Sequence, residues 1–242
     1  MTNQFDERII PDQTDKGIIS IHLKRYAFAR PFCESKKVLD LACGSGYGTH
    51  YLAPFVKQIV GVDCSEEAVE YGRRRYAHPS VTFEVMDACN LSFPDGYFDV
   101  VCSFEAIEHV RNFETYLAEV RRILKRDGIY FVSTPCVSKT TEHPENPFHF
   151  QEWSPPDFRK LLERYFSSVR LYGQKRKESM LHRILRKADP WNLHAKLKFP
   201  RLTNTLSRMT GTTGFAEMGL SDFEIIEEDF KGADYIIGLC QS

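Results

Sequence analysis

Apolar positions change their period several times along the chain. Ile18, Ile19, Ile21, Leu23, Tyr26, Phe28 and Ala29 fall at loose helical spacing, broken by His22, Lys24 and Arg25, and predict a helix over 18–33. From Lys37 onward short apolar runs alternate with helical stretches. The pattern predicts strands at Val38–Ala42, Gln58–Val62, Val81–Val85, Phe98–Ser103 and Ile129–Ser133, with helices at Gly46–Pro54, Ser65–Tyr76 and Phe113–Leu124 between them. Ser65 is placed as an N-cap, followed by Glu66 and Glu67 in the first turn, where the helix dipole favours acids. Pro94–Gly96 and Asp127–Gly128 read as turns, and a Pro-rich loop covers 135–156. A helix at Asp157–Tyr165, a strand at Ser168–Tyr172 and a last strand at Tyr235–Cys240 follow. Strands and helices alternating at this pitch imply parallel pairing through right-handed crossovers. The expected fold is α/β, a doubly wound, seven-stranded, mostly parallel sheet with helices on both faces.

Length and charge narrow the picture further. A chain of 242 residues with 42% hydrophobic content buries one sizeable core and fits a single elaborated domain. Its expected parts are an N-terminal helical cap (1–35), a core (36–174), a basic insertion or lid (175–230) and a final strand (231–242). The formal charge of −1 excludes a globally basic nucleic-acid binder, but it hides an asymmetry. Between Gln174 and Thr210 ten lysines and arginines stand against Glu178 and Asp189 only. Apolar residues such as Leu181, Ile184, Trp191, Leu193 and Leu206 punctuate that stretch, as in amphipathic helices. It can hold a phosphorylated or lipid-linked substrate at a membrane surface, grip an RNA backbone, or form a lid with a solvated outer face. The seven cysteines, Cys33, Cys43, Cys64, Cys89, Cys102, Cys136 and Cys240, never form a C-x-x-C pair and several sit in apolar runs. Reduced thiols in a cytoplasmic protein are expected, with no transmembrane segment.

The run Val38-Leu39-Asp40-Leu41-Ala42-Cys43-Gly44-Ser45-Gly46-Tyr47-Gly48 follows a strand and opens a helix. That is where a nucleotide-like ligand meets backbone N–H groups in a doubly wound fold. The spacing is G-x-G-x-G rather than the G-x-G-x-x-G of a dinucleotide site, and Asp40 precedes the glycines by four residues. A carboxylate so close repels a pyrophosphate and attracts the ammonium of a methionine moiety. Asp63, at the end of the next strand, is placed to accept both ribose hydroxyls, and Asp87, ending the third, to accept from an adenine amino group beside the Ala88 backbone. Ala42, Gly44, Gly46, Cys64 and Phe104 complete the expected cofactor contacts. Arg25 and Tyr26 are candidates to cover the cofactor or grip its carboxylate, against the alternative of a charged surface helix.

VLDLACGSGYG, VGVDCS, VMDACNLSF, FDVVCSFEAIEHV and LKRDGIYFVSTP resemble, in order, the motifs of class I S-adenosylmethionine-dependent methyltransferases. The resemblance covers about residues 36–135 and, more loosely, 150–174. It implies a Rossmann-like fold, S-adenosylmethionine as cofactor, and methyl transfer as the activity.

Two loops at strand carboxyl ends carry the candidate chemistry: Phe104-Glu105-Ala106-Ile107-Glu108-His109, and the stretch from His143 through His149 to Trp153. Methyl transfer from a sulfonium is an in-line displacement, so alignment and removal of the acceptor's proton are the protein's work. On one reading His109 or His149 is a general base and Glu108 orients the imidazole. On another, Glu105, Glu108, His109 and His149 bind a divalent metal, Mg²⁺ or Mn²⁺, that holds vicinal oxygens. On a third, Glu108 and His109 merely start a solvated helix and His149 is a capped loop residue. The E-x-x-E-H with a distant His resembles the metal site of small-RNA 3′-terminal 2′-O-methyltransferases. The chain is also similar to bacterial methyltransferases of surface-glycan biosynthesis, through Glu7, Arg8 and Pro11, Leu23-Lys24-Arg25-Tyr26 and Leu171-Tyr172-Gly173-Gln174. The expected function is methylation of an oxygen on a sugar or glycan precursor, which makes the partner a small-molecule or glycan acceptor. The alternatives are an RNA ribose 2′-O-methyltransferase and a non-catalytic cofactor-binding scaffold.

Overall fold

The computed structural model describes residues 9–177 and 217–242. Helix α1 (Lys16–Cys33) precedes a run of alternating elements: β1 (Lys37–Leu41), α2 (Tyr47–Leu52), β2 (Gln58–Asp63), α3 (Glu66–Arg75), β3 (Val81–Val85), β4 (Phe98–Phe104), α4 (Phe113–Ile123) and β5 (Leu124–Pro135). Then come α5 (Pro155–Leu162), β6 (Ser168–Arg176), β7 (Phe223–Glu227) and β8 (Tyr235–Gln241). The sheet order is β3-β2-β1-β4-β5-β8-β6-β7. Neighbours from β3 to β5 are parallel, whereas β8 runs antiparallel to β5 and β6, and β7 antiparallel to β6.

Buried strands of a doubly wound sheet send successive side chains to opposite layers. Val38, Val100 and Phe131 pack with Tyr26, Ala29, Cys33 and Leu52 of α1 and α2 on one face. Their neighbours Leu39, Val101 and Val132 pack with Leu117, Val120, Phe158 and Leu162 of α4 and α5 on the other. Helix α3 starts as its sequence predicts, with Ser65 Oγ accepting from the Ala68 amide at 3.3 Å.

Three expectations need correction. The pattern predicted seven strands, and eight are present among the described residues, because β7 lies inside 175–230. Only Phe223 of β7 is buried, so an edge strand with a single core residue has no alternation to betray it. Strand β6 runs on to Arg176, which puts Lys175 and Arg176 in the sheet rather than in the insertion. The Asp127–Gly128 turn is instead part of β5, absorbed by a register shift against β4 between Phe98 and Val100. Residues 178–216 of the expected basic insertion lie outside the described residues. Among the described residues no helix is long and apolar enough to cross a membrane.

Helix α1 is fastened to the sheet by one buried carboxylate. Asp40 accepts from the Tyr26 hydroxyl at 2.9 Å and from Thr49 Oγ1 at 2.6 Å, joining α1, β1 and α2. This requires α2 to approach the Tyr26 ring closely, and a Cβ at Gly48 would stand 1.9 Å from Tyr26 Cζ. Gly48→Ala should therefore lower stability by about 1–3 kcal/mol, as overpacking does elsewhere. Urea unfolding measures it, and an unchanged midpoint would show that α2 sits more loosely than described.

Candidate cofactor and acceptor site

The loop between β1 and α2 is held by Asp63. Its Oδ2 accepts from the Gly44 amide at 2.9 Å and its Oδ1 from the Ser65 amide at 3.0 Å. A carboxylate has about four acceptor positions, so these two bonds orient Asp63 and leave capacity for ribose hydroxyls. Gly44 has a φ of +55°, and a Cβ there would meet nothing within 4 Å, so its bare face borders open space. Gly46 has a different reason to be glycine, since a Cβ on it would strike the Phe83 ring at 2.6 Å. Ala42, at the end of β1, holds a left-handed φ of 58° without being glycine, a strained conformation of the kind found at binding sites. Asp87 is exposed beyond β3, with its Oδ1 accepting from the Cys89 amide at 2.8 Å, and Cys64 is exposed beyond β2. Ala88 is half-buried and Phe104 is buried, its ring edge-to-face with Tyr26 at 4.8 Å.

Asp40, Tyr26 and Arg25 are all buried. Asp40 is fully buried, and each of its oxygens accepts one hydrogen bond, from Tyr26 and from Thr49. Tyr26 packs against Gly48 of α2 with its hydroxyl on Asp40. Arg25 is no surface residue: it is fully buried, 4.1 Å above the Tyr235 ring, and its Nε donates to Gln174 Oε1 at 2.7 Å. Its Nη1 stands 3.6 Å from Glu105 Oε1.

At the carboxyl ends of β4 and β5 the structure gathers Glu108, His109 and His149, with one ligand atom of each within 4.8 Å of the others. A single 3-10 turn (Ile107–His109) presents Glu108 and His109, and the Phe150 amide donates to the Glu108 carbonyl at 2.7 Å, tying the two loops together. The imidazoles meet edge to face with centroids 4.7 Å apart. His109 Nδ1 lies 3.1 Å from the Phe148 carbonyl, which can only accept, so Nδ1 carries the proton and Nε2 the lone pair. His149 Nδ1 sits 2.6 Å from Glu152 Oε1, while its Nε2 is 3.0 Å from Asn146 Nδ2, which gives the same tautomer. Backing of Nδ1 by an oxygen is how proteins prepare a metal-binding or basic Nε2.

Glu108 is 1% exposed, and neither carboxylate oxygen has a hydrogen-bond partner among the described residues. Burial first, then the charge of Glu105, holds its carboxyl well above the usual range. Glu105 is not part of the three-residue group in this structure, its side chain being held by Ser133 and facing Arg25. Its backbone takes a left-handed φ of 54°, and its Oε1 accepts from Ser133 Oγ at 2.7 Å. Burial also raises the Glu105 carboxyl, against the opposing charge of Arg25. Glu152 was discoverable from its spacing, three residues after His149; Ser133 carried no signal.

Known proteins resemble this chain over the parallel part of its sheet. Residues 39–132 match a family model described as a methyltransferase domain. A probable S-adenosylmethionine-dependent methyltransferase of Mycobacterium tuberculosis is 34% identical over 160 residues, 64% of this chain and 58% of that protein. The fatty-acid O-methyltransferase of Mycolicibacterium smegmatis is 36% identical over 117 residues, 48% of this chain and 42% of the relative. The chain thus spans little more than half the length of the curated relatives it matches first. Among solved structures, the Burkholderia thailandensis 1,6-didemethyltoxoflavin-N1-methyltransferase, with bound S-adenosylhomocysteine, superposes with a TM-score of 0.59 at 14% identity. That alignment covers 92% of this chain and 78% of the other, and at this identity it speaks for the fold.

Burial raises the Asp40 carboxyl to about 7, opposed by the bonds from Thr49 and Tyr26. The unfolded chain releases this proton near its ordinary value of 3.8 and the folded chain only near 7, so stability falls as pH rises between them. Asp40→Asn should flatten the stability profile between about pH 5 and pH 8 by about 2–3 kcal/mol relative to the native chain. Parallel profiles in urea unfolding would contradict the assignment.

Proposed function

We propose that the chain is a class I S-adenosylmethionine-dependent methyltransferase and that it methylates a hydroxyl oxygen of a sugar or glycan precursor, a reading supported by the methyltransferase-domain match over residues 39–132. The observation that carries this reading is Glu108, a buried carboxylate with no partner for either oxygen among the described residues, grouped with two histidines prepared at Nε2. Such a group has work to do on an acceptor proton. Removing an unpaired carboxylate from water costs several kcal/mol unless a cation or a proton meets it. The fatty-acid relative is itself an O-methyltransferase, which supports oxygen as the acceptor atom. Two stretches behind the glycan resemblance also meet in space, through the bond from Arg25 to Gln174.

The cofactor supplies an electrophilic methyl group on a sulfonium. For its part, the chain offers the open face of Gly44 to the cofactor's approach and Asp63 for two ribose hydroxyls. Asp87 and the Ala88 backbone are assigned to the adenine and Phe104 to the methionine end. His149 Nε2, backed by Glu152 and released from Asn146 Nδ2, is the base that accepts the acceptor's proton, with His109 beside it. The same residues suit a divalent cation: Glu108, His109 and His149 would hold Mg²⁺ or Mn²⁺, which would polarise the acceptor hydroxyl.

Calorimetry with S-adenosylmethionine and S-adenosylhomocysteine should give micromolar binding, and Asp63→Ala should weaken it by about 2–4 kcal/mol through loss of charge-assisted hydrogen bonds. His149→Ala should cut methyl transfer to hydroxylated sugar acceptors at least about a hundredfold while leaving S-adenosylhomocysteine affinity unchanged. Equal losses in both would make His149 structural, and transfer to RNA oligonucleotides instead of sugars would replace the acceptor class.

A further inference from the structure

Arg25 and Glu105 face each other across a loose contact. The guanidinium is fully buried, yet its Nη2 has no hydrogen-bond partner among the described residues, and the pair with Glu105 is 3.6 Å long. Charge-assisted pairs of this type close to about 2.7–2.9 Å when they are made well. Arg25 Nη1 and the Tyr47 hydroxyl both approach His22 Nδ1, at 3.4 and 3.2 Å, so the imidazole links the guanidinium to the first residue of α2. Glu105, for its part, is held in a left-handed backbone conformation by Ser133, whose carbonyl and hydroxyl both accept from the Glu105 amide at 3.1 Å. For a residue with a Cβ that conformation costs about 1–3 kcal/mol, and here it accompanies a side chain paired with Arg25 rather than grouped with Glu108, His109 and His149.

We propose that Arg25 couples the two halves of the site: a carboxylate from the cofactor's methionine moiety takes the guanidinium, and Glu105 is released to join Glu108, His109 and His149 around a divalent cation. The inference rests on the cation-assisted form of the function proposed above. A buried guanidinium with one unpartnered edge matches a carboxylate in the two-pronged geometry that arginine favours. Once Arg25 is neutralised by that carboxylate, its attraction for Glu105 falls, and the repulsion between Glu105 and Glu108 is relieved by a cation between them. Cofactor and cation therefore bind with positive coupling, and linkage makes the effect reciprocal. Arg25 is a positioning residue in this scheme, acting on the cation through Glu105.

Calorimetric titration of Mn²⁺ into the full chain, alone and saturated with S-adenosylhomocysteine, tests the coupling without any turnover. Mn²⁺ should bind at least about fivefold more tightly in the presence of S-adenosylhomocysteine, and S-adenosylhomocysteine should gain the same factor from saturating Mn²⁺. Glu105→Gln should abolish the enhancement, and Arg25→Lys, which keeps the charge but not the two-pronged geometry, should lose most of it; far-ultraviolet circular dichroism checks that both variants are folded. A merely structural Arg25 would leave the ratio of the two Mn²⁺ affinities unchanged. Mn²⁺ binding of equal strength in both titrations overturns the coupling and leaves the cation site standing. Absence of Mn²⁺ binding in both overturns the cation site and the coupling together.

Discussion

Because β1 pairs in parallel with both β2 and β4, the carboxyl ends of three central strands are brought to one edge of the sheet. Every polar group of the site follows from that alignment. Asp63 ends β2, Ala42 and Gly44 follow β1, and Glu105 follows β4, so residues far apart in sequence share one crevice. The connections that make this possible are helical, and their apolar faces bury both sides of the sheet. The same packing pins α1 across the crevice, with Tyr26 bonded to Asp40 and Arg25 bonded to Gln174 of β6.

Charge is then concentrated where water is scarce. Arg25, Asp40 and Glu108 are all within 1% of full burial, an arrangement that costs stability unless each group has a use for its partner. Asp40 has two hydroxyl donors and serves the framework. Arg25 has partial satisfaction from Gln174 and Glu105, and Glu108 has none among the described residues. Satisfaction thus falls from the framework toward the acceptor end, as expected where polar groups are kept ready for a ligand instead of for folding.

Much of this was legible in the sequence. The five parallel strands carry short apolar clusters separated by helical stretches, and the Ser65 cap declared itself by residue type and the acids after it. What stayed hidden depended on tertiary context. Strand β7 buries one residue and so shows no period, and β6 continues through Lys175 and Arg176 because its pairing partner, not its composition, sets its length. Asp40 looked like a ligand residue from its place before the glycines, but its bonds to Tyr26 and Thr49 come from helices on either side of β1 in the chain. Glu105 shares the E-x-x-E-H spacing, yet a left-handed backbone and the nearby Arg25 separate it from the other three residues. Spacing reports which side chains are neighbours in sequence; it does not report which of several charged partners each one takes.

The central claim, that a cofactor cradled by the Gly44 loop and Asp63 meets an acceptor group built on Glu108, His109 and His149, is tested most directly by a crystal structure grown with S-adenosylhomocysteine and Mn²⁺. The account predicts ribose hydroxyls on Asp63, the thioether sulfur directed toward Phe104, and an anomalous manganese peak coordinated by Glu108, His109 and His149, with Glu105 turned from Arg25 to join them. Nucleoside bound away from Asp63, or manganese absent from those three side chains while the cofactor is in place, would contradict it.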